Sequence, residues 1–236
     1  MDNMNSKQSA PVARATALPR AAGPAPFNPV NFFYDCDVAS SILYIRKKEI
    51  VFSQGHPADS VFYIQKGMVK LTSVSERGKE AAITLLGPGE LLGEECIAGK
   101  QPVRVTTAVA FSECTLLRVD RWVVEDAVRR KTPFLEFFMS SILARNIRLQ
   151  ETLADQLCLT SEKRLARVLL LLAGFNKTDD PEPVLPKIGQ ETLAEMVGTT
   201  RSRVNFYMNR FRERGFIEYD RELRIRKSLQ SVLMED

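Results

Sequence analysis

The chain has 236 residues, 44% of them hydrophobic and 26% charged, which suits a globular protein long enough to form two domains with separate cores. Its formal net charge is only +4, so information about partners lies in where the charge sits along the chain. One histidine, His56, and four scattered cysteines without a C-x-x-C pair exclude a metal site built on several histidines, a zinc ribbon and a thioredoxin-type motif.

Residues 1–29 form a low-complexity stretch dominated by Ala and Pro. Such a segment cannot bury enough apolar surface to offset the loss of chain entropy on folding, so we expect a disordered tail. The tail lacks the apolar core of a signal peptide, and a run of about 18 apolar residues, as a membrane helix needs, occurs nowhere in the chain. We therefore expect a cytoplasmic protein with no membrane partner.

The stretch from Ile42 to Val119 is rich in short runs of β-branched and aromatic residues. Turn signals such as Gly55-His56-Pro57 and Gly87-Pro88-Gly89 separate these runs. Several short strands at near-regular spacing, with Gly-rich turns between them, indicate a β-sandwich or barrel, followed by a short helix over 120–130. The predicted strands cover 50–53, 61–65, 68–74, 81–86, 103–110 and 115–119.

A long helix is predicted from Phe134 to Leu159, because apolar residues recur at helical spacing without Gly or Pro. Its apolar positions occupy more than one side, and such a helix needs two partners. One partner is the β-rich domain of its own chain; the other is the same helix of a second copy, which predicts a parallel dimer seam. The alternative is burial in one large core. A break at Thr160-Ser161-Glu162 indicates a hinge before a further apolar helix over 163–175.

Two helical patterns meet at Gly198 within residues 190–215. Glycine tolerates the left-handed conformation that closes a helix, and Thr199 or Thr200 can cap the helix that follows. A short helix, a tight turn with glycine and a second helix are typical of a helix-turn-helix.

The second of these helices is strongly basic, and its first turn projects polar side chains outward. A guanidinium pairs with O6 and N7 of guanine, so a basic second helix predicts insertion into the DNA major groove. The alternative is an ordinary helical hairpin with a solvated basic face. The charges are Arg201, Arg203, Arg210, Arg212 and Arg214 against Glu213.

A β-hairpin is predicted after the helix-turn-helix, because residues 216–219 and 223–226 alternate in polarity around Asp220-Arg221-Glu222. This hairpin would form a wing beside the helices. Its basic side chains either contact DNA phosphates or are solvated; they are Arg221, Arg224, Arg226 and Lys227.

Three longer motifs run through the chain: Gly55-x-x-x-Asp59-x-Val61-Phe62-Tyr63-Ile64-x-x-Gly67-x-Val69, then Gly87-Pro88-Gly89-Glu90-Leu91-Leu92-Gly93-Glu94, then Val197-Gly198-Thr199-Thr200-Arg201 with Val204. With these motifs the chain resembles the Crp/Fnr family of bacterial transcription regulators. The resemblance implies an α+β fold with a cyclic-nucleotide-binding-type β-roll (jelly roll) that senses an effector over 30–132, a dimerisation helix over 133–160 and a winged helix-turn-helix over 161–236. It also implies a homodimer on palindromic double-stranded DNA, in contact with RNA polymerase.

The resemblance assigns roles to residues of the second helix. Arg201, Ser202 and Asn205 or Phe206 fall at base-reading positions, and Thr200 falls at a phosphate contact. Well-known members carry Glu where this chain has Ser202, so its target sequence should differ from theirs. The full predicted DNA-binding set is Thr199, Thr200, Arg201, Ser202, Arg203, Asn205 and Arg210.

By resemblance, a Gly-Glu pair holds the ribose of a cyclic nucleotide and an Arg ten residues later holds its phosphate, a pattern that Gly93, Glu94 and Arg104 fit. Val105 stands where the family has a hydroxyl residue, so the phosphate half of the pocket is kept and the base half is altered. The predicted effector-binding residues are Gly93, Glu94, Arg104, Val105, Thr106, Leu149 and Gln150.

Several alternatives stay open at this point. The effector is a cyclic nucleotide such as cyclic AMP, another small molecule, or absent, in which case Glu94 and Arg104 form an ion pair within the pocket. Other functions are an effector-independent DNA-binding regulator, a protein-interaction module and a cupin-like metalloenzyme. The single histidine opposes the metalloenzyme, since a cupin site needs clustered His and carboxylate ligands. We expect no enzymatic activity, no catalytic residue and no bound metal.

Overall fold

A computed structural model describes residues 27–35, 40–75, 80–98, 103–175, 184–185, 188–219 and 222–235. The predicted disordered tail lies outside the described residues as far as residue 26. So do Asp220 and Arg221 of the predicted wing.

The N-terminal domain is a β-roll made of two four-stranded sheets. Its strands are β1 Ser40–Ile45, β2 Ile50–Phe52, β3 Ser60–Lys66, β4 Val69–Val74, β5 Glu80–Leu86, β6 Leu91–Leu92, β7 Thr107–Ala110 and β8 Cys114–Asp120. One sheet has the order β1-β8-β3-β6 and the other β2-β7-β4-β5, with antiparallel pairing throughout. A 3₁₀ turn, Glu94–Ala98, follows β6. This arrangement confirms the predicted β-roll.

The strand predictions were wrong at three places. β1 and β6 were not predicted, and β7 begins later than the predicted strand 103–110. Val103 makes only an isolated bridge to Pro57. Arg104 instead exchanges backbone hydrogen bonds with the turn at Gly55 and His56, at 2.8 Å each, and this contact delays β7.

Strand alternation gives the β-roll two apolar layers. Phe62 and Ile64 of β3 face the opposite sheet, where they pack in one cluster with Leu71 and Leu86. Val61 of the same strand faces outward and packs with Leu117 beneath the helices. Because the central part of β3 is buried on both faces, residues 61–64 form a continuous apolar run.

Three helices cover the outer layer: α1 Pro29–Asp35, α2 Arg121–Arg130 and α3 Thr132–Cys158. Aromatic rings join α1 to the start of α3, with the rings of Phe32 and Phe134 stacked at 5.2 Å and those of Phe33 and Phe134 edge to face at 5.4 Å. The short helix α1 was not predicted, because it adjoins the Pro-rich tail and its stability comes from this aromatic packing.

The C-terminal domain contains α4 Ser161–Phe175, β9 Val184–Leu185, α5 Gln190–Val197, α6 Arg201–Glu213, β10 Ile217–Tyr219, β11 Leu223–Ile225 and α7 Ser231–Met234. The strand order β10-β11-β9 confirms the predicted wing hairpin and adds a third strand to it. The predicted hinge is shorter than expected, since α4 already begins at Ser161.

Arg164 braces this hinge. Its Nη1 donates to the carbonyl oxygen of Leu159 at 3.0 Å and of Gln156 at 3.3 Å, both at the end of α3. Its Nε donates to the carbonyl oxygen of Val197 at 3.0 Å, at the end of α5. A single guanidinium therefore meets the carbonyl ends of two helices, where a positive charge is favourable.

The two domains also touch directly. Met68 and Leu85 of the β-roll are buried in the same apolar cluster as the core of α4 and α5. Beside them, Lys70 Nζ and Glu195 Oε2 form an ion pair at 2.9 Å, linking β4 to α5. The helix-turn-helix thus packs against the outer face of β4 and β5.

Candidate DNA-binding face and effector pocket

A left-handed glycine and a threonine cap form the turn between α5 and α6. Gly198 has φ 70° and ψ 44°, and its N–H donates to the carbonyl oxygen of Ala194. Thr200 Oγ1 accepts from the N–H of Arg203 at 3.3 Å, so Thr200, of the two predicted candidates, is the cap of α6.

The helix α6 has one buried and one exposed side. Val204, Met208 and Phe211 are 0%, 6% and 0% exposed, and they anchor the helix on the C-terminal core. The predicted DNA-binding residues of α6 lie outside this core and are exposed: Arg201, Ser202, Arg203, Asn205 and Arg210.

Two of these exposed side chains already have partners within the chain. Asn205 Oδ1 accepts from Gln190 Nε2 at 3.0 Å, which ties the start of α5 to the middle of α6. Arg210 pairs with Glu162 of α4 at 3.0 Å, so a DNA phosphate would have to compete for this guanidinium. Thr199 is half-buried in the turn.

The wing adds basic groups next to α6. Arg224 and Lys227 are exposed. Arg226 forms an ion pair with Glu218 across the hairpin. Among the wing residues that the structure describes, Arg224 and Lys227 are therefore the basic groups most accessible to a phosphate.

Arg104 is buried in the β-roll, at 2% exposed, and its guanidinium is held by the protein itself. Nη1 donates to the carbonyl oxygen of Gly93 at 3.0 Å, and Nη2 donates to that of Ser60 at 2.7 Å. The guanidinium lies 4.2 Å above the ring of Phe52 and 3.5 Å from the carboxylate of Glu95. A phosphate at this position would have to displace these backbone contacts.

Glu94 has a different partner from the one expected. Arg145 of α3 pairs with the Glu94 carboxylate and also donates to the carbonyl oxygen of Leu91. The alternative of a Glu94–Arg104 ion pair was therefore wrong, since each of the two charges has another partner. The Arg145 contact connects the turn after β6 directly to α3.

The other predicted effector residues are Val105, Thr106, Leu149 and Gln150. Val105 is 60% exposed and Thr106 is half-buried. Leu149 and Gln150 are exposed on α3, whereas Arg104 is buried. The neighbouring Cys96 is fully buried; burial, opposed by Arg104, raises its pKa to about 11, so the thiol stays protonated.

Sequence reasoning missed Ser60, Glu95 and Arg145. A signal for Arg145 was present, because Phe134 and Phe138 precede it on the side of α3 that is buried against the β-roll. No signal marked Ser60, whose backbone oxygen and Oγ both accept from Arg104 Nη2, at 2.7 and 3.3 Å.

Gly93 is required on two grounds. Its φ of 79° lies in the left-handed region, and a Cβ built there would lie 2.3 Å from Arg104 Nη1. The glycine therefore lets the guanidinium approach the backbone closely.

The part of the chain that the structure describes offers neither a metal cluster nor a membrane-spanning helix. Within it, His, Cys, Asp and Glu side chains form no group of three or more that could hold a metal ion. Among the same residues, no helix is long and apolar enough to cross a membrane.

Comparison with protein families matches both domains. The cyclic nucleotide-binding domain matches residues 42–131, and the Crp-like helix-turn-helix domain matches residues 163–229. The Cyclic AMP receptor protein of Thermus thermophilus is 31% identical over 178 residues, which cover 74% of this chain and 78% of that protein. The chain belongs to the Crp/Fnr family of transcription regulators.

Two further comparisons agree with this assignment. The Global nitrogen regulator of Nostoc sp. is 31% identical over 179 residues, covering 72% of this chain and 78% of that protein. The structure of FixK2 from Bradyrhizobium japonicum has a TM-score of 0.71 over 82% of this chain and 97% of that chain; at 17% identity it supports the fold alone. The family consists of transcription regulators, so the assignment sets aside the metalloenzyme alternative.

Proposed function

We propose that this Crp/Fnr protein acts as a homodimer, inserts α6 into the major groove of a palindromic site and senses a small effector in its β-roll. The observation that carries the proposal is the exposed polar side of α6, presented by the Gly198 turn and anchored by a buried apolar side. Helix-turn-helix proteins contact base edges with such a face. The site of action would be the bacterial cytoplasm, with RNA polymerase as the further partner that the family resemblance implies.

An uncovered apolar stripe on α3 supports the homodimer. At about 100° per residue, its members fall within a sector of about 120°, so they lie on one side of the helix. The β-roll packs on a different side, where Phe134, Phe138 and Arg145 lie. A second copy of α3 in parallel orientation would cover the stripe. The stripe consists of Leu135, Met139, Leu143, Leu149, Leu153 and Leu157, between 36% and 78% exposed.

A two-fold axis along this seam supports a palindromic target. It would present two α6 helices in the same way to two half-sites, and helix-turn-helix dimers contact half-sites about 34 Å apart, one turn of DNA.

Arg201→Ala tests the DNA-binding assignment. Binding sites are first selected from random DNA with the wild-type protein, and dissociation constants are then measured by fluorescence anisotropy. We expect Arg201→Ala to lose about 1–3 kcal/mol per half-site, the value of one bidentate guanine contact. Binding by both proteins should weaken steeply as salt rises, because phosphate contacts release counterions.

Arg129→Ala is the matched control, since it removes the same charge from an exposed position on α2 of the β-roll. It should bind the selected site like the wild type. An Arg201→Ala protein that also binds like the wild type would contradict the assignment of α6 as the reading helix.

A cyclic nucleotide such as cyclic AMP is the first effector candidate. The match to the cyclic nucleotide-binding domain supports it, as does the Cyclic AMP receptor protein among the relatives. Glu94 and Arg104 lie at the expected positions, but nucleotide binding would require Arg104 to exchange the oxygens of Gly93 and Ser60 for those of a phosphate.

Effector-independent regulation is the second candidate, and the burial of Arg104 favours it. Thermal unfolding with and without cyclic AMP and cyclic GMP separates the two. A nucleotide at a hundred times its dissociation constant stabilises a protein by about 2.7 kcal/mol, a shift of roughly 5–11 °C at this size. No shift with either nucleotide, together with full operator binding in its absence, would support regulation without a nucleotide.

A further inference from the structure

Phe206 is a large apolar side chain in the middle of α6 that the fold leaves exposed, at 61%. The core does not account for its position. Each residue turns an α-helix by about 100°, so Phe206 points roughly opposite to Val204 and Met208, two positions away on either side. Those two residues are 0% and 6% exposed.

The surroundings of Phe206 are polar and belong to the proposed DNA-binding face. Ser202 and Arg210 lie one turn before and after it on the same side of the helix, and both are exposed. The ring of Tyr207 meets that of Phe206 edge to face, with centroids 5.5 Å apart. This contact helps to hold the phenyl ring in place before any partner arrives.

The major groove offers one apolar group on its base edges, the C5-methyl group of thymine, and phenylalanine is a suitable contact for it. We propose that Phe206 contacts the methyl group of a thymine in each half-site, near the guanine assigned to Arg201. This inference rests on the proposed function, because it requires α6 to lie in the major groove.

The neighbouring Asn205 is arranged to contact the same base pair. Its Oδ1 accepts from Gln190, which leaves Nδ2 as the donor that the side chain can present to DNA. Thymine carries the acceptor O4 beside its methyl group. An amide donor for O4 and a phenyl ring for the methyl group together favour thymine over cytosine, which has an amino donor in place of O4 and no methyl.

Replacement of thymine by deoxyuridine tests the inference, because it removes only the methyl group. In the selected operator, each thymine is replaced in turn, symmetrically in both half-sites. We expect one position at which uracil weakens wild-type binding by about fourfold per half-site, the effect of burying one methyl group. At that position Phe206→Ala should bind the thymine and uracil operators equally, and Phe206→Leu should retain a preference for thymine.

Trp122→Ala is the matched control, since Trp122 is an aromatic residue of similar exposure, 60%, on α2 of the β-roll. It should keep the full thymine preference. The inference is overturned if uracil is tolerated everywhere by the wild type, or if Phe206→Ala keeps the same sensitivity as the wild type. In either case, the proposed function still holds if wild-type binding depends on a guanine and Arg201→Ala abolishes that binding. No specific binding by the wild type would overturn both.

Discussion

At the scale of single residues, Arg104 departs furthest from what its sequence position suggests. The family resemblance implies that it binds a phosphate, yet the protein supplies its partners: two backbone oxygens, a ring face and the Glu95 carboxylate. A buried guanidinium is tolerated only when it is hydrogen-bonded and paired in this way. With these partners Arg104 stabilises the turn at Gly93.

Gly93→Ala tests how closely this turn is packed. The substitution forces a side chain into a left-handed backbone and against Arg104 Nη1, so we expect a loss of unfolding free energy of about 2–4 kcal/mol. Gly55→Ala is the control, because Gly55 has a similar φ of 82° but nothing within 4 Å of its Cβ position. Chemical denaturation measures both. An equal loss for the two variants would show that backbone strain alone, without the clash, sets the cost.

At the candidate effector site, the family motif singles out Gly93, Glu94 and Arg104 but does not predict their partners. The structure brings Arg104 into contact with Gly93. Which carboxylate meets which guanidinium depends on how α3 lies against β6, and this docking brings Arg145 to Glu94 from 51 positions further along the chain. Pairings of this kind are set by tertiary packing, which no local pattern encodes.

At the scale of elements, long periodic helices were predicted well and short elements were not. The apolar spacing in α3 and α6 places them within a few residues, because many turns contribute to the pattern. β6 spans only Leu91–Leu92, too short for alternation to show. The helix α1 exists because Phe32 and Phe33 pack on Phe134, a contact across the whole domain.

The brace at Arg164 leads to a prediction about the joint between α3, α4 and α5. We expect Arg164→Lys to lower the free energy of unfolding by about 1–3 kcal/mol, because a lysine cannot reach both helix ends with one planar group. Operator affinity should fall as well, since α5 loses its tie to α3. Arg212→Lys, exposed on α6, serves as the control. Urea denaturation and anisotropy titration give the two values, and wild-type values for Arg164→Lys would show that the brace is dispensable.

At the scale of the whole molecule, the α3 stripe makes the oligomeric state testable. We expect the wild type to sediment as a dimer and Met139→Glu with Leu153→Glu to sediment as a monomer, because charges in an apolar seam would be desolvated without partners. The monomer should bind the operator at least about 100-fold more weakly, since the second half-site no longer adds to affinity. Leu171→Glu, at an equally apolar and exposed site on α4, should remain dimeric. A dimer that survives both glutamates would place the interface elsewhere.

The strands β4 and β5 contribute to two apolar cores, and this couples the β-roll to the helix-turn-helix. One face of these strands lines the interior of the β-roll with Leu71 and Leu86, while the other seats α5 through Leu85 and Lys70. Because β4 and β5 belong to both cores, a shift of these strands that alters the packing of one core also alters the packing of the other. By thermodynamic reciprocity, any ligand that alters operator affinity through these strands must have its own affinity altered by the operator to the same degree. Binding to the promoter would then change the affinity of the β-roll for its ligand. DNA-bound and free molecules would therefore respond at different ligand concentrations.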